Sequence, residues 1–578
     1  MSERRIGVYV CQCGGNISDH VDVDEVVAAV QNEPGVTVAR TAMFTCSDAT
    51  QQEIVNDIQE QKLDGIVVAS CSPKLHTFTF REVAKRAGLN PYQYTQVNVR
   101  EQCSWTHTDD HIGATEKAAR LVRAGIARTR LTEPLDPIVV ETVPAAVVVG
   151  GGISGLRSAL GLAQIGLSVH LVELEDKLGG WVGTFNDMYP HGKDGQQLIA
   201  RLVEQVDADP NITVHTEAEI VSKNGSFGNY QVGIRTGGAA DVVEVDAGSI
   251  VVATGFQSYV PEDGEFGYRL EGVLTLPEFK SLVEDSDGPL VYDGRPVNTV
   301  AYIYCVGSRQ EAPGNEYCSR YCCTAAIHAS LQAHDKATDI KQYHLYRDIR
   351  SYGKYELLYN QARDEGSLFM RFPDEEPPVV QKDPSGNGLL VTAKDVLTEG
   401  AEMTIPADLV VLVTGMEPRT NEGLIKTLKL PVGNDGFFNE IHPKLRPVET
   451  VVDGVFIAGA CQSPKNSAES VASGLAAVTQ SASILKRGYA ELDPLVAVVD
   501  TDLCTWCGKC LEACPYEAPR ETSEDEKQVA VIDKAACKGC GGCVPVCPYD
   551  AIDLQGYTDA QIRAMIDGLL EEGEPCEV

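Results

Sequence analysis

From residue 5 to about 130 the chain alternates short apolar runs with amphipathic ones. IGVYV, GVTVARTAMF, GIVVAS and YTQVNV have the composition of strands, while VDEVVAAVQ, ATQQEIVNDIQEQ, FREVAKRAG and ATEKAARLVRAGIA carry helical spacing. Strands and helices in alternation predict a small parallel α/β domain over residues 1–135. A stretch near 132–144, rich in proline and acidic residues, marks its end. Beyond it, AAVVVGGGISGLRSALGLAQIGLSVHLVELE reads as strand, glycine turn, amphipathic helix and strand, and SIVVATGF, NTVAYIYCVG and VDGVFIAGAC add further apolar strands. The pattern predicts an α/β multidomain protein. Its second domain spans residues 136–495, with a subdomain at about 290–420; a small domain follows at 496–556 and a helical tail at 557–578.

A length of 578 residues, 43% hydrophobic with 53 glycines, accommodates several such domains. No uninterrupted apolar run approaches the ~18 residues of a membrane span. The opening MSERRIGVYVCQCGG has too short an apolar run for a signal peptide, so a soluble cytoplasmic protein is expected. The formal net charge of −35 argues against nucleic-acid and anionic-membrane partners, which are bound through basic surfaces. An acidic surface maintains solubility and can steer docking to an electron-transfer partner. In a cytoplasmic setting, nineteen cysteines at clustered spacings favour metal ligands over disulfides.

The clearest chemistry is near the C-terminus. Cys504-x2-Cys507-x2-Cys510-x3-Cys514-Pro515 is followed by Cys537-x2-Cys540-x2-Cys543-x3-Cys547-Pro548. In this bacterial ferredoxin spacing, three cysteines of one motif and the fourth of the other share a 4Fe-4S cluster. One set is therefore Cys504, Cys507, Cys510 and Cys547, and the other Cys537, Cys540, Cys543 and Cys514. Zinc knuckles use paired Cys-x-x-Cys or histidine instead.

In the second domain, Gly150-x-Gly152-x-x-Gly155 lies between a strand and a helix, and the next strand ends in Glu173. Such glycines permit a tight turn, close approach of a pyrophosphate and close helix packing, while the acid suits ribose hydroxyls. Leu178-Gly179-Gly180, Thr254-Gly255 and VDGVFIAGAC resemble flavoproteins with two dinucleotide-binding domains, such as thioredoxin reductase. That resemblance implies FAD, with Gly179, Gly180, Thr254, Gly255 and Gly459 at the cofactor. The family's late segment usually ends Gly-Asp, whereas here Ala460 and Cys461 follow Gly459. Backbone groups there, or neighbours such as Lys465 and Asn466, must then make the contact. Cys461 is read as a small buried residue, a redox thiol being the alternative.

A chain of that type carries a second glycine fingerprint. At the corresponding place NTVAYIYCVGSRQEAPGNEYCSRYCCTAAIHASLQAH opens into Cys305, then Cys318, Cys322 and Cys323 before a helix. Four thiols within nineteen residues at a strand-to-helix turn can close on a 4Fe-4S cluster, making a degenerate nucleotide subdomain with a metal site in place of the phosphate loop. In the N-terminal domain Cys11, Cys13, Cys46, Cys71 and Cys103 fall just beyond strands, whose carboxyl ends converge in a parallel sheet. Cys11, Cys46, Cys71 and Cys103 are the first-choice ligands of a further cluster, with Cys13 the alternate. His76 and His107 read as solvated loop residues and Cys576 as an incidental tail thiol. No general acid or nucleophile stands out, so no catalytic group beyond the flavin is named.

CQCGGN, Cys305-x12-Cys318-x3-Cys322-Cys323, GVFIAGACQSPK at 454–465, the double ferredoxin motif and GYTDAQIRAMIDGLL together resemble the A subunit of heterodisulfide reductase and its bacterial relatives, over nearly the whole chain. The resemblance implies an oxidoreductase component, an FAD and iron-sulfur hub associated with flavin-based electron bifurcation. It also implies B and C subunits, a small electron-input protein (MvhD-like, from a hydrogenase or dehydrogenase) and a dimer of complexes. Methanogen members carry an extra ferredoxin module about where this chain has only VGIRTGGAADVVEV (232–245), and a cysteine pair where it has GTFNDMYPHGKD. One low-potential electron route is thus absent or supplied by another protein.

Overall fold

The computed structural model describes residues 4–190, 192–237, 241–311, 313–386, 388–524 and 527–570; Cys576 and the rest of the expected tail beyond Leu570 lie outside them. The chain divides into two compact units, Met1–Val140 with Glu491–Val578, and Glu141–Ala490.

The first unit opens with β1 (Ile6–Cys11), α1 (Val23–Val30), β2 (Val36–Ala42), α2 (Asp48–Glu60), β3 (Gly65–Ser70), α3 (Pro73–Ala87), β4 (Tyr94–Asn98) and α4 (His111–Arg130). The strands form one parallel sheet in the order β2-β1-β3-β4. All six residues of both β1 and β3 are buried, because helices cover both faces of the sheet. Val26, Val30, Ala118 and Val122 lie in one core and Ile54, Ile58, Phe80 and Val83 in another. Side-chain caps start the helices: Asp22 accepts from the Asp24 and Glu25 amides, Ser47 from Thr50 and Asp110 from Gly113.

The second unit uses one plan twice. Its first half comprises β5 (Ala145–Val149), α5 (Ile153–Gln164), β6 (Ser168–Val172), α6 (Gly195–Ala208), β7 (Ile212–His215), a three-stranded antiparallel meander of β8 (Ala218–Ser226), β9 (Asn229–Thr236) and β10 (Val242–Ala247), and then β11 (Ser249–Val252). Its second half comprises β12 (Val273–Thr275), α7 (Leu276–Asp285), β13 (Thr299–Val306), α8 (Cys322–Lys336), β14 (Lys341–Tyr346), β15 (Leu368–Arg371), the meander β16 (Val379–Lys382), β17 (Leu389–Asp395) and β18 (Ala401–Ala407), and then β19 (Leu409–Thr414). β20 (Val455–Ile457) and α9 (Ser467–Leu485) return to the first half. The two five-stranded parallel sheets run β7-β6-β5-β11-β20 and β12-β19-β13-β14-β15. Segment 232–245 belongs to the β9–β10 hairpin, with 238–240 outside the described residues.

The halves differ after their central strands. β5 turns directly into α5, whereas β13 bulges between Ile303 and Val306, and a cysteine-bearing loop separates it from α8.

The C-terminal part of the first unit pairs β21 (Ala497–Val499) with β24 (Ile552–Leu554) around α10 (Lys509–Ala513) and the hairpin of β22 (Pro519–Glu524) and β23 (Lys527–Ile532). The described part of the expected tail is α11 (Asp559–Leu570), which packs on α4. A methyl group on Gly568 would stand 3.1 Å from the Ala124 backbone, so the helices approach closely. Gln561 Nε2 donates to the Leu131 carbonyl at 2.9 Å and Arg128 Nη2 to the Gly556 carbonyl at 2.7 Å. Among the described residues, no helix is long and apolar enough to cross a membrane.

Candidate flavin and iron-sulfur sites

The glycine turn after β5 is built for close approach. Gly150 has φ +107°, and a methyl group on Gly155 would lie 1.7 Å from the Gly150 carbonyl oxygen, so α5 sits directly on the turn. Gly152 is the N-cap of α5, and a methyl group there would meet nothing within 4 Å. The amide end of α5 is thus open to an anion. Glu173 Oε2 accepts the Gly151 amide at 2.5 Å and Oε1 accepts the Glu175 amide at 2.9 Å, which places the carboxylate at the turn. The Gly179 amide donates to the Gly151 carbonyl at 2.9 Å, and Gly180 lies against Gly152.

Thr254 borders Gly150 from β11, while Gly459 follows β20 and packs against Ser154 of α5. Thr254 Oγ1 is buried without a hydrogen-bond partner, and Gly255 faces open space. An orphaned hydroxyl beside a glycine-walled opening at a helix N-terminus fits an extended dinucleotide.

Ala460 is buried next to Gly459. Burial holds the Lys465 ammonium below the usual lysine range, and its Nζ reaches Gln462 Oε1 at 3.1 Å and Ser463 Oγ at 2.9 Å. Asn466 is engaged differently: its side-chain oxygen caps α9 by accepting the Glu469 amide at 2.9 Å. Cys461 Sγ lies 3.2 Å from the Ala458 carbonyl and 3.4 Å from that of Val252, and burial raises its thiol. It packs as a small protonated residue.

At the middle site, Cys305 occupies the bulge of β13 with φ +63°, and Cys322 and Cys323 form the first turn of α8. The thiols of Cys305, Cys318, Cys322 and Cys323 are mutual electrostatic neighbours. The hydrogen bond to Cys323 and burial push Cys322 well up, while the same bond lowers Cys323. Burial drives Cys305 to about 11, with Cys323 adding to the rise and Arg309 and Arg347 opposing it. The Arg309 side chain hydrogen-bonds Cys305, and its Nη1 is buried with no further acceptor. Four convergent thiols and an unsatisfied cationic donor fit an anionic iron-sulfur cluster.

At the carboxyl edge of the N-terminal sheet, Cys46 and Cys71 each have Cys11 and Cys13 as charge neighbours, and Arg100 stands among them with Nη1 3.6 Å from Cys13 Sγ. Burial raises both thiols, Cys71 to about 11. Cys103 belongs to the same buried core as Cys11 and Cys13. The turn Arg100–Ser104 directs it into the core with Val99, Ala114 and Ala118, where it is fully buried and Lys117 acts on it electrostatically. Cys13, the alternate ligand, thus joins Cys11, Cys46 and Cys71 as a charge neighbour, while Cys103 shares the core with Cys11 and Cys13. Sequence reading passed over Arg100; its position two residues beyond β4, on the same sheet edge, was the available signal.

In the C-terminal region one hollow is lined by Cys514, Cys537, Cys540 and Cys543, and another by Cys504, Cys507, Cys510 and Cys547. Each gathers three cysteines of one motif and the fourth of the other. Among the described residues every cysteine is a free thiol, and no three His, Cys, Asp or Glu side chains are arranged for a single metal ion.

Known proteins share these features. Residues 497–554 match the family model of a 4Fe-4S dicluster domain, and residues 148–213 that of an NAD(P)-binding Rossmann-like domain. The A 2 iron-sulfur subunit of CoB–CoM heterodisulfide reductase from Methanopyrus kandleri is 36% identical over 91% of this chain and 92% of its own length. The chain belongs to the family of heterodisulfide reductase A subunits. The A 1 iron-sulfur subunit of the same organism is 34% identical over 98% of both chains. The A subunit of the H2/formate:CoB-CoM heterodisulfide,ferredoxin reductase of Methanococcus maripaludis is 33% identical over the full length of both. The chain is therefore an oxidoreductase subunit, and it combines an FAD-type Rossmann fold with a 4Fe-4S dicluster domain. Thioredoxin reductase from T. acidophilum aligns with 59% of this chain and 99% of its own at 16% identity and a TM-score of 0.41. The duplicated sheet plan, not that alignment, carries the fold.

Proposed function

We propose that this chain is the electron-distributing hub of a heterodisulfide-reductase-like complex, exchanging two-electron equivalents at FAD with one-electron 4Fe-4S chains. The supporting observation is the contrast between the two halves of the second unit. In the first, the central strand ends in a glycine turn open to a dinucleotide. In the second, the equivalent strand ends in Cys305 and a loop that gathers four thiols. A reductase acting alone on NAD(P)H would need a nucleotide loop at that second place.

Gly150, Gly152, Gly155, Glu173, Gly179, Gly180, Thr254, Gly255, Gly459 and Ala460 would hold the FAD, with Lys465 supplying positive charge near it. Cys305, Cys318, Cys322 and Cys323 would hold one cluster, the eight ferredoxin-type cysteines two, and Cys11, Cys46 and Cys71 a fourth, completed by Cys103 or by its alternate Cys13. Bound FAD takes or gives two electrons, and the clusters carry them singly. The side chains contribute placement and charge, not acid-base work on a substrate. Partners of this reading are B and C subunits and an electron-input protein, in a dimer of complexes. A cytoplasmic location is proposed because so many free thiols persist where thiols are kept reduced. Electron bifurcation is proposed by kinship with relatives whose names couple heterodisulfide and ferredoxin reduction.

Anaerobic purification from the native host, followed by iron and flavin analysis, tests this reading. About sixteen irons and one FAD per chain are expected, at four irons per cluster. About eight irons would remove both the middle and the N-terminal sites, and the proteins co-purified identify the donor and acceptor.

A further inference from the structure

The middle cysteine site lies in a collar of arginines within a strongly acidic chain. Arg309 pairs through Nη2 with Asp348 Oδ2 at 3.0 Å, leaving Nη1 buried without a partner. Arg347 Nη1 donates to the Arg309 carbonyl at 2.6 Å; its Nε is also buried and makes no hydrogen bond, with Asp374 Oδ1 3.6 Å away. Arg309 and Arg347 both act electrostatically on Cys305, and Arg350 acts on Cys323 through its amide and its charge. The Arg320 amide donates to Cys318 Sγ at 3.3 Å. Its guanidinium is tied to Glu469 Oε1 at 2.6 Å and the Pro464 carbonyl at 3.4 Å, which fixes the cysteine loop to the start of α9. Arg371 pairs with Asp348 at 3.6 Å. Asp348, Asp374 and Glu469 are the carboxylates paired with this group, so positive charge exceeds negative around the thiols.

The ferredoxin-type cavities differ. No arginine lines either of them, the cations present being Lys509 and Lys538. At the Cys504, Cys507, Cys510 and Cys547 cavity, backbone amides donate to sulfur as the Arg320 amide does to Cys318, Ala530 to Cys504 and Ala551 to Cys547, each at 3.3 Å.

A cluster with four thiolate ligands gains a further negative charge on one-electron reduction, with no ligand bond made or broken. Cations and N–H donors around it favour that more negative state and raise its potential. We infer that Arg309 and Arg347, with Arg320 holding the loop in place, set the potential of a cluster at Cys305, Cys318, Cys322 and Cys323 above those of both ferredoxin-type clusters. The site is then the preferred resting place for a single electron within the chain. This inference rests on the cluster assignment proposed above.

The test is an EPR-monitored redox titration of the anaerobically prepared full chain, with dithionite as reductant. The middle signal is identified as the one missing from Cys322→Ser. In the unmodified protein it should develop at a higher potential than the ferredoxin signals. Arg309→Gln and Arg347→Gln should each shift it downward and leave the ferredoxin signals in place, and Arg309→Lys should restore part of the shift. Should both glutamine variants fail to fold, the order of reduction in the unmodified protein decides. A middle cluster that reduces with or after the ferredoxin clusters overturns the inference, as does an unmoved midpoint in folded variants. If Cys322→Ser keeps all its iron, the cluster assignment itself fails, and the inference with it.

Discussion

Gly155→Ala is expected to release FAD and to lower the melting temperature of the second unit. A methyl group at this position would sit 1.7 Å from the Gly150 carbonyl oxygen. The obstacle is backbone, so no side-chain rotation relieves it, and α5 must lift away from β5. Overpacking against a core costs about 1–3 kcal/mol. A backbone collision places this variant at the upper end, about 3 kcal/mol lost from the stability of the second unit, and FAD is released because α5, once lifted, no longer presents its amide end at the turn. Gly152→Ala provides the contrast: its φ of −72° suits alanine and nothing lies within 4 Å of the added methyl. That variant should fold normally yet lose FAD, because its methyl occupies the space left for the pyrophosphate. Flavin absorbance after gel filtration, read beside thermal melts, separates the two effects.

Cys322→Ser is expected to remove about four of about sixteen irons per chain, given four irons per cluster, while FAD stays bound. The Cys322 thiol is buried at the first turn of α8 and shares its proton network with Cys323, so the site converges on it. Serine keeps the size of the side chain but is a far poorer iron ligand than a thiolate. Cys461→Ser is the matched control. Cys461 is equally buried but is surrounded by the backbone carbonyls of Val252 and Ala458, and its replacement should leave the iron content unchanged. Iron assay with EPR of the reduced protein checks both.

The parts of the molecule that were legible in the sequence are those fixed by short-range spacing. Strands buried on both faces leave continuous apolar runs such as AAVVV and GIVVAS, and the glycines and ferredoxin cysteines act within a few residues of one another. Side-chain direction in turns was less legible. Cys71 directly follows β3, whereas Cys103 lies five residues beyond β4 in the turn Arg100–Ser104, buried in the core that also holds Cys11 and Cys13, and Arg100 stands beside Cys13, Cys46 and Cys71. Asn466 lies one residue beyond Lys465 in a segment expected to face the flavin, but the capping requirement of α9 engages its side chain. The arginine collar was hidden for another reason: Arg347 and Arg350 follow β14, far along the chain from Cys305, and only the sheet brings them together. The union of the N-terminal and C-terminal segments in one compact unit is equally non-local.

The most direct test is anaerobic photoreduction of the flavin in the full chain, followed by rapid freezing and EPR. Electrons from the reduced flavin should appear in a 4Fe-4S signal that is absent from Cys322→Ser, without added NAD(P)H or partner protein. A flavin that stays fully reduced while every cluster stays oxidised would contradict the hub and leave the clusters a structural role.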